Sequence, residues 1–294
     1  MTNFKQALEN NLEDNKLQKF YKTIGRELLF GWTKFEMLYV SILLLIQIAV
    51  LVVYPEGWVG SLAGITGVLC VTLVAKGYIS NFFWGTIQVS CYLYASLVAV
   101  LYGEVVLQIA YLAFQVIGYI TWSKDIRKVN HAKQEFRKQG VPEEEIEAQF
   151  ITTLEDEVKA KTLSKKQWLI LIVSSLAVWE LSASILTAVG SNQAILNGLT
   201  LTLAMTAQVL MITLFAEQWL LWIVVNILSI SMWVIQGNPA IVALWSAFLI
   251  NSVYGYVVWS DKARTVKGLP ETKYTKALKK LYMDKETYEN FMKN

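Results

Sequence analysis

Gly118-Tyr119-Ile120-Thr121-Trp122-Ser123-Lys124-Asp125 closes one long apolar stretch of this chain, and Gly255-Tyr256-Val257-Val258-Trp259-Ser260-Asp261-Lys262 closes another. Upstream of the first stands Trp84 with Gln88, and upstream of the second stands Trp222 with Asn226. The order Trp-x-x-x-amide, then Gly-Tyr-x-x-Trp-Ser, therefore occurs twice, its two parts 34 residues apart in one half and 33 in the other. Repetition of this kind marks a duplicated structural unit. Each copy lies at the same stage of a run of three apolar segments, 57–122 and 194–259.

The apolar segments decide the class. Only 17% of the 294 residues are charged, against about 25% in soluble domains, and mean hydropathy is +0.41. The Lys and Arg residues fall before Phe35, at Lys76, between Lys124 and Lys166, at Lys262 and Arg264, and beyond. Between them lie eight stretches near the roughly 20 residues that cross a bilayer as a helix: Phe35–Tyr54, Gly57–Ala75, Asn81–Leu101, Val105–Trp122, Trp168–Val189, Ala194–Phe215, Trp219–Gln236 and Ala240–Trp259. Helices are the default because lipid offers no partner to unpaired backbone groups. The first stretch lies too far in, and is too long, for a cleavable signal peptide.

Loops at Tyr54–Gly57, Tyr102–Glu104, Gly190–Gln193 and Gln236–Pro239 carry no Lys or Arg. Cytoplasmic loops carry the basic excess, so both termini are expected in the cytoplasm, which needs an even number of spans. The net charge of +3 then reflects orientation, and no nucleic-acid module is present. Four spans separate equivalent helices, so the two three-helix units share one orientation and form parallel repeats. The expected fold is an all-α integral membrane protein of eight transmembrane helices, with two parallel three-helix repeats (57–122 and 194–259) joined by a linker helix (168–189), plus one extra helix at 35–54. Residues 1–34 read as an amphipathic cytoplasmic segment, 123–167 as a charged cytoplasmic loop broken at Gly140 and Pro142, and 260–294 as a cytoplasmic tail. Two similar bundles joined by one span resemble the layout of the SWEET sugar transporters, whose bundles rock around a site near the midplane.

The spans hold few groups for chemistry. Cys70 and Cys91 read as small packed residues, without metal spacing. Glu180 is the sole acid at mid-span, and a Ser or Thr across a helix contact is its expected partner. Glu36, Glu56, Glu104 and Glu217 stand at span ends. His131, the one histidine, lies in the charged loop. With no nucleophile, general base, phosphate loop or metal motif, neither an enzyme nor an ATP-driven pump is expected, and no cofactor or metal. Amides and aromatics fill the place of charge: Gln88, Gln108, Gln115, Asn197, Gln208, Asn226 and Asn251 among Trp84, Tyr92, Tyr111, Trp222, Trp233 and Trp245. Amides offer donors and acceptors to a neutral polyhydroxyl solute, and flat rings suit a heterocycle, above all a cationic one. Trp222 and Asn226 share one helix face, as do Trp84 and Gln88. Trp122, Trp168 and Trp259, near span ends, are expected to anchor the membrane interface.

Two stretches carry a resemblance. Ile79-Ser80-Asn81-Phe82-Phe83-Trp84-Gly85-Thr86-Ile87-Gln88-Val89 and Glu217-Gln218-Trp219-Leu220-Leu221-Trp222-Ile223-Val224-Val225-Asn226, the latter followed by Gln236-Gly237, resemble the motifs of the PnuC vitamin transporters, as do the Gly-Tyr-x-x-Trp endings. The resemblance covers both repeats and none of the charged segments. It implies a SWEET-like homotrimer in a bacterial inner membrane that takes up nicotinamide riboside by facilitated diffusion, with trapping by a separate cytoplasmic kinase. It carries ligand contact over to Trp222 and Asn226. Gln88 stands where the family often has Asn, which leaves thiamine and riboflavin open as substrates. The expected contacts are Trp222, Asn226, Gln88, Gln115, Tyr111, Trp84, Tyr92 and Asn251. A reading from another class is a receptor or scaffold whose charged loop and tail recruit cytoplasmic proteins.

Overall fold

The computed structural model describes residues 21–29, 32–53, 58–98, 102–142, 146, 159–188, 190, 194–235 and 239–266. Those residues are almost wholly helical. A short helix α1 (21–29) precedes α2 (Lys34–Val53), α3 (Trp58–Lys76), α4 (Asn81–Val98), α5 (Tyr102–Lys138), α6 (Lys165–Ala188), α7 (Ala194–Ile212), α8 (Gln218–Ile235) and α9 (Pro239–Val266). Residues 1–20, residues 143–145 and 147–158 of the charged loop, and the tail beyond Val266 lie outside the described residues, as does Glu56.

By length and composition, α2, α6 and α7 are each long and apolar enough to cross a membrane, and Leu62–Lys76 and Gln218–Ser231 are shorter apolar helices. The remaining helices carry the amides or run on into charged sequence. At about 1.5 Å per residue, α5 with its 37 residues is nearly twice the roughly 30 Å hydrocarbon thickness. The segment ending at Trp122 thus continues as one helix to Lys138, until Gly140 with φ 76° turns the chain.

Helices α3, α4 and α5 form one bundle and α7, α8 and α9 a second. The bundles meet along two seams, α3 with α9 and α5 with α7. Helix α2 lies on α3 and α9, and α6 packs on α7 with none of its residues buried. The α6–α7 contact is close because Gly198 admits the Ala183 backbone: a β-carbon there would come within 2.9 Å of it. Small residues allow such approaches between membrane helices. Ser182 bonds across this contact to the Gly198 carbonyl at 3.3 Å and to the Thr202 hydroxyl at 3.2 Å. Glu180, two residues before it, is exposed on α6 and has no partner among the described residues, so the expected Ser or Thr contact belongs to its neighbour.

The same turn links the first two helices of each bundle. Gly77 at φ 79° and Leu214 at φ 68° end α3 and α7 in the left-handed region. Around Gly77 the backbone bonds are Gly77 N–H to Val74 and Tyr78 N–H to Leu73; around Leu214 they are Leu214 N–H to Met211 and Phe215 N–H to Leu210. Such bonds satisfy the last carbonyls of a helix. One constant shift in numbering relates Gly77 to Leu214, Phe82 to Trp219, Gly118 to Gly255 and Trp122 to Trp259. Gly118 and Gly255 serve the same purpose: a β-carbon would meet the Phe82 ring at 2.3 Å or the Trp219 ring at 2.5 Å.

This shift corrects the pairing of motifs. It sets Trp84 against Leu221 and Trp222 against Gly85, so the Trp-x-x-x-amide segments are offset by one residue. A helix accepts a tryptophan at adjacent positions that face different neighbours, whereas the backbone turn fixes the register.

Trp122 and Trp259 are also corrected. Both are fully buried, so neither is a membrane-interface anchor. Trp122 donates its indole N–H to the Met211 carbonyl of α7 at 3.2 Å. Trp259 donates to the Val74 and Ala75 carbonyls of α3 at 3.0 and 3.1 Å. Their rings lie 5.7 Å apart inside the largest apolar cluster, flanked by Phe82 at 4.9 Å from Trp122 and Trp219 at 6.2 Å from Trp259.

Candidate substrate-binding site

The ends of α3 and α9 nearest α1 carry a charged network. The pair Thr33 and Glu36 caps α2 reciprocally: Thr33 N–H donates to the Glu36 carboxylate at 2.6 Å, and Glu36 N–H donates to the Thr33 hydroxyl at 3.0 Å. This is a capping box. The second oxygen of Glu36 meets the Lys76 ammonium at 2.8 Å and accepts the Tyr254 hydroxyl. Lys76 also sits 5.6 Å from the Trp32 ring centroid and 5.7 Å from that of Tyr78. A buried pair of this kind demands full hydrogen bonding to offset desolvation. Nearby, Glu27 of α1 accepts the Ser80 N–H at 2.9 Å. Burial pushes the Glu27 carboxyl up to about 7, against the opposing pull of the Ser80 bonds and Arg26.

The amides occupy space left by glycines. The Gln88 amide of α4 lies against Gly67 of α3, where a β-carbon would be 3.1 Å from its Nε2. The Gln115 amide of α5 lies against Gly85 of α4, with corresponding distances of 2.7 to 2.9 Å. Gln115 is buried, and its Oε1 accepts no hydrogen bond; Gln88 is half-buried and makes none among the described residues. A buried amide left open costs free energy, and a polar solute offers what these lack. Gln47 of α2 repeats the arrangement against Gly64, with a buried, unpartnered Nε2. It was not among the expected contacts, although it is a lone amide in an otherwise apolar span.

The aromatic candidates divide. Trp84 and Trp222 are half-buried and pack on the same apolar cluster, and the Trp84 N–H is buried without an acceptor. Tyr111 is half-buried one helical turn from Gln115, and Tyr92 is exposed one turn beyond Gln88. Asn226 is buried and donates to the Ser252 hydroxyl at 2.9 Å, leaving its carbonyl oxygen without a partner among the described residues. Asn251 differs. It accepts the Tyr39 hydroxyl at 2.6 Å and donates to the Val71 carbonyl at 3.1 Å, so it ties α2, α3 and α9 together. The side chain of Trp233 lies outside the described residues.

An apolar groove beside Trp179, Thr187, Ile195 and Leu199 lies between α6 and α7 and contains none of the candidate residues. Among the described residues, no three His, Cys, Asp or Glu side chains gather as a metal site would require.

Known proteins match this chain over most of its length. The nicotinamide mononucleotide transporter family matches residues 57–261. The nicotinamide riboside transporter PnuC of Neisseria mucosa is 37% identical over 83% of this chain and 87% of its own. That of Haemophilus influenzae is 36% identical over 81% and 94%, and that of Escherichia coli is 24% identical over 72% and 88%. A crystal structure of the vitamin B3 transporter PnuC superposes with a TM-score of 0.65 at 36% identity, covering 82% of this chain and 97% of that one. Apolar helices, an amide-and-indole interior and these matches make one statement: the chain is an integral membrane protein that belongs to the PnuC family of transporters.

Proposed function

We propose that this protein takes up nicotinamide riboside by facilitated diffusion. The observation that carries the reading is the set of open amides, Gln88, Gln115 and the Asn226 carbonyl, with the half-buried indoles of Trp84 and Trp222 one helical turn before Gln88 and Asn226. Stacking on an indole face suits the pyridinium cation, and the amides meet ribose hydroxyls and the carboxamide. Trp222, Asn226, Gln88 and Gln115 are the principal contacts, with Tyr111, Trp84 and Tyr92 around them; Asn251 supports the site through its helix ties.

The family's description speaks of a mononucleotide and the relatives' names of the riboside. The residues favour the riboside. A phosphate dianion needs a cation or clustered N–H donors. From Phe35 to Ser123 the only basic residue is Lys76, which Glu36 already holds, and Gln167 to Asp261 contains none.

The architecture belongs to the same proposal. Eight spans form two parallel three-helix repeats, with α6 as linker and α2 as the extra helix, in a homotrimer of the bacterial inner membrane with both termini cytoplasmic. The matched turns at Gly77 and Leu214 and the reciprocal bonds of Trp122 and Trp259 support the repeat. The basic residues at one end of the helices support the orientation. Without a coupled ion, net uptake depends on a cytoplasmic kinase that phosphorylates the riboside.

Calorimetric titration of the purified protein with nicotinamide riboside, its mononucleotide, thiamine and riboflavin tests the substrate. Binding of the riboside alone is expected. Preference for another of the four reassigns the substrate, and no binding by folded protein to any of them favours the receptor or scaffold reading.

A further inference from the structure

The Asn226 amide is held in one orientation by the helix beside it. Asn226 of α8 donates its Nδ2–H to the Ser252 hydroxyl oxygen of α9 at 2.9 Å, and the Ser252 hydroxyl donates to the Phe248 carbonyl, one turn back in α9, at 2.9 Å. A serine hydroxyl has one proton and two lone pairs. With that proton committed to a carbonyl, which can only accept, the Ser252 oxygen is left to accept from Asn226. Turning the amide over would set two acceptors against one proton, between side chains that are both buried, and a buried group without its bond costs free energy. Ser252 thus fixes which end of the amide faces it. The oxygen is the end left for a solute, and it has no donor among the described residues.

The constant shift sets Ser252 against Gln115 and Asn226 against Val89. In the first bundle the third helix supplies the amide at this level and the second helix supplies none, yet the outcome is alike: Gln115 Oε1 is buried without a donor. Each bundle therefore carries one amide oxygen that calls for an N–H or O–H group. The open donors among the expected contacts, as at Trp84 Nε1, are neutral, whereas a carboxylate needs a cation or clustered donors. A site built to hydrogen-bond an N–H strongly rejects the analogue that lacks it. Trp222 and Asn226 are one turn apart on one helix face, about 5.4 Å along the axis. A pyridinium ring on Trp222 brings its carboxamide, which lies in the ring plane, to that distance, while the ribose hydroxyls project out of the plane. We propose that Ser252 is a positioning residue for substrate selection: by presenting the Asn226 oxygen it makes the site read the carboxamide N–H, so that nicotinamide riboside is admitted and its carboxylate counterpart, nicotinic acid riboside, is rejected. The proposal rests on the substrate reading above.

Calorimetric titration of the full-length protein with three ligands reads this selection. Nicotinamide riboside carries the carboxamide. In 3-acetylpyridine riboside a methyl group replaces the amide nitrogen and no charge is added; in nicotinic acid riboside an oxygen anion replaces it. The parent is expected to bind the ketone about tenfold, and the acid about a hundredfold, more weakly than the amide. Ser252→Ala frees the Asn226 amide to turn its nitrogen toward the ligand. The ketone is then expected within about threefold of the amide, and the acid within about tenfold. A threonine hydroxyl makes the same bond one turn back in a helix, as Thr66 and Thr72 do in α3, so Ser252→Thr should retain the parental ratios. A merely structural role for Ser252 would weaken all three ligands alike, and that result overturns the proposal. A parent that binds the ketone as tightly as the amide overturns it too, and this comparison stands even where Ser252→Ala does not fold. Failure of the folded parent to bind nicotinamide riboside removes the substrate reading itself, and the selection with it.

Discussion

A β-carbon at residue 85 would lie 2.7 Å from the Gln115 amide nitrogen, so the absence of a side chain at Gly85 is what seats Gln115 between α4 and α5. The obstructing atoms are the far end of a flexible side chain, which yields more readily than the backbone. Gly85→Ala is therefore expected to leave the fold intact and to turn the Gln115 amide away. Affinity for nicotinamide riboside should fall about tenfold, or about 1.4 kcal/mol, with a normal size-exclusion profile. Unchanged affinity would place Gln115 outside the site.

Trp222→Ala removes the stacking face proposed for the pyridinium ring. It is expected to weaken binding by about 2 kcal/mol, whereas Trp168→Ala, at a span end, should change it little. Calorimetry on both variants checks this, and equal losses would count against the site.

Lys76 and Glu36 are buried together, and removing one charge strands the other. Lys76→Met is expected to cost about 3 kcal/mol of stability, seen as a lower midpoint of thermal unfolding in detergent. The double variant Glu36→Gln, Lys76→Met should lose less than the single one, because no buried charge remains unpaired. A double variant as unstable as the single one would show that packing, rather than charge, is what Lys76 contributes.

The folded-state carboxyl of Glu27 is raised to about 7 from an ordinary value of 4.5. Folding therefore favours its protonated form. The stability it contributes is fully present below about pH 4.5 and is lost as pH rises through about 7. Unfolding midpoints measured from pH 5 to 8 should show this decline in the parent protein, and Glu27→Gln should flatten it. An identical pH profile in the variant would assign the dependence to another group.

Much was legible in the sequence because segment-level physics is coarse. A run of apolar residues between charged ones reports the cost of moving a whole helix into lipid, and this places the helices without knowledge of their neighbours. The recurring Gly-Tyr-x-x-Trp and the two tryptophan-and-amide stretches carried the family, because side chains of unusual type in a fixed order survive without coordinates. Amides concentrated in otherwise apolar spans pointed to a polar solute for the same reason.

Which way a side chain faces depends on what packs beside it, and only the tertiary structure decided that. Trp122 and Trp259 stand near span ends, where tryptophan favours the lipid boundary, yet they are buried because a carbonyl of the opposite bundle accepts each N–H. Asn251 and Gln208 are alike as amides in apolar helices, yet the first is consumed by Tyr39 and Val71 while the second is left open. The one-residue offset between Trp84 and Trp222 shows in the sequence as spacings of 34 and 33 residues, but the position that slipped was decided by the turns at Gly77 and Leu214, which lock the backbone register. The sequence by itself determined the helices and the chemistry of the interior. Contacts between helices, which depend on direction as well as composition, decided which of those polar groups remain free to meet a solute.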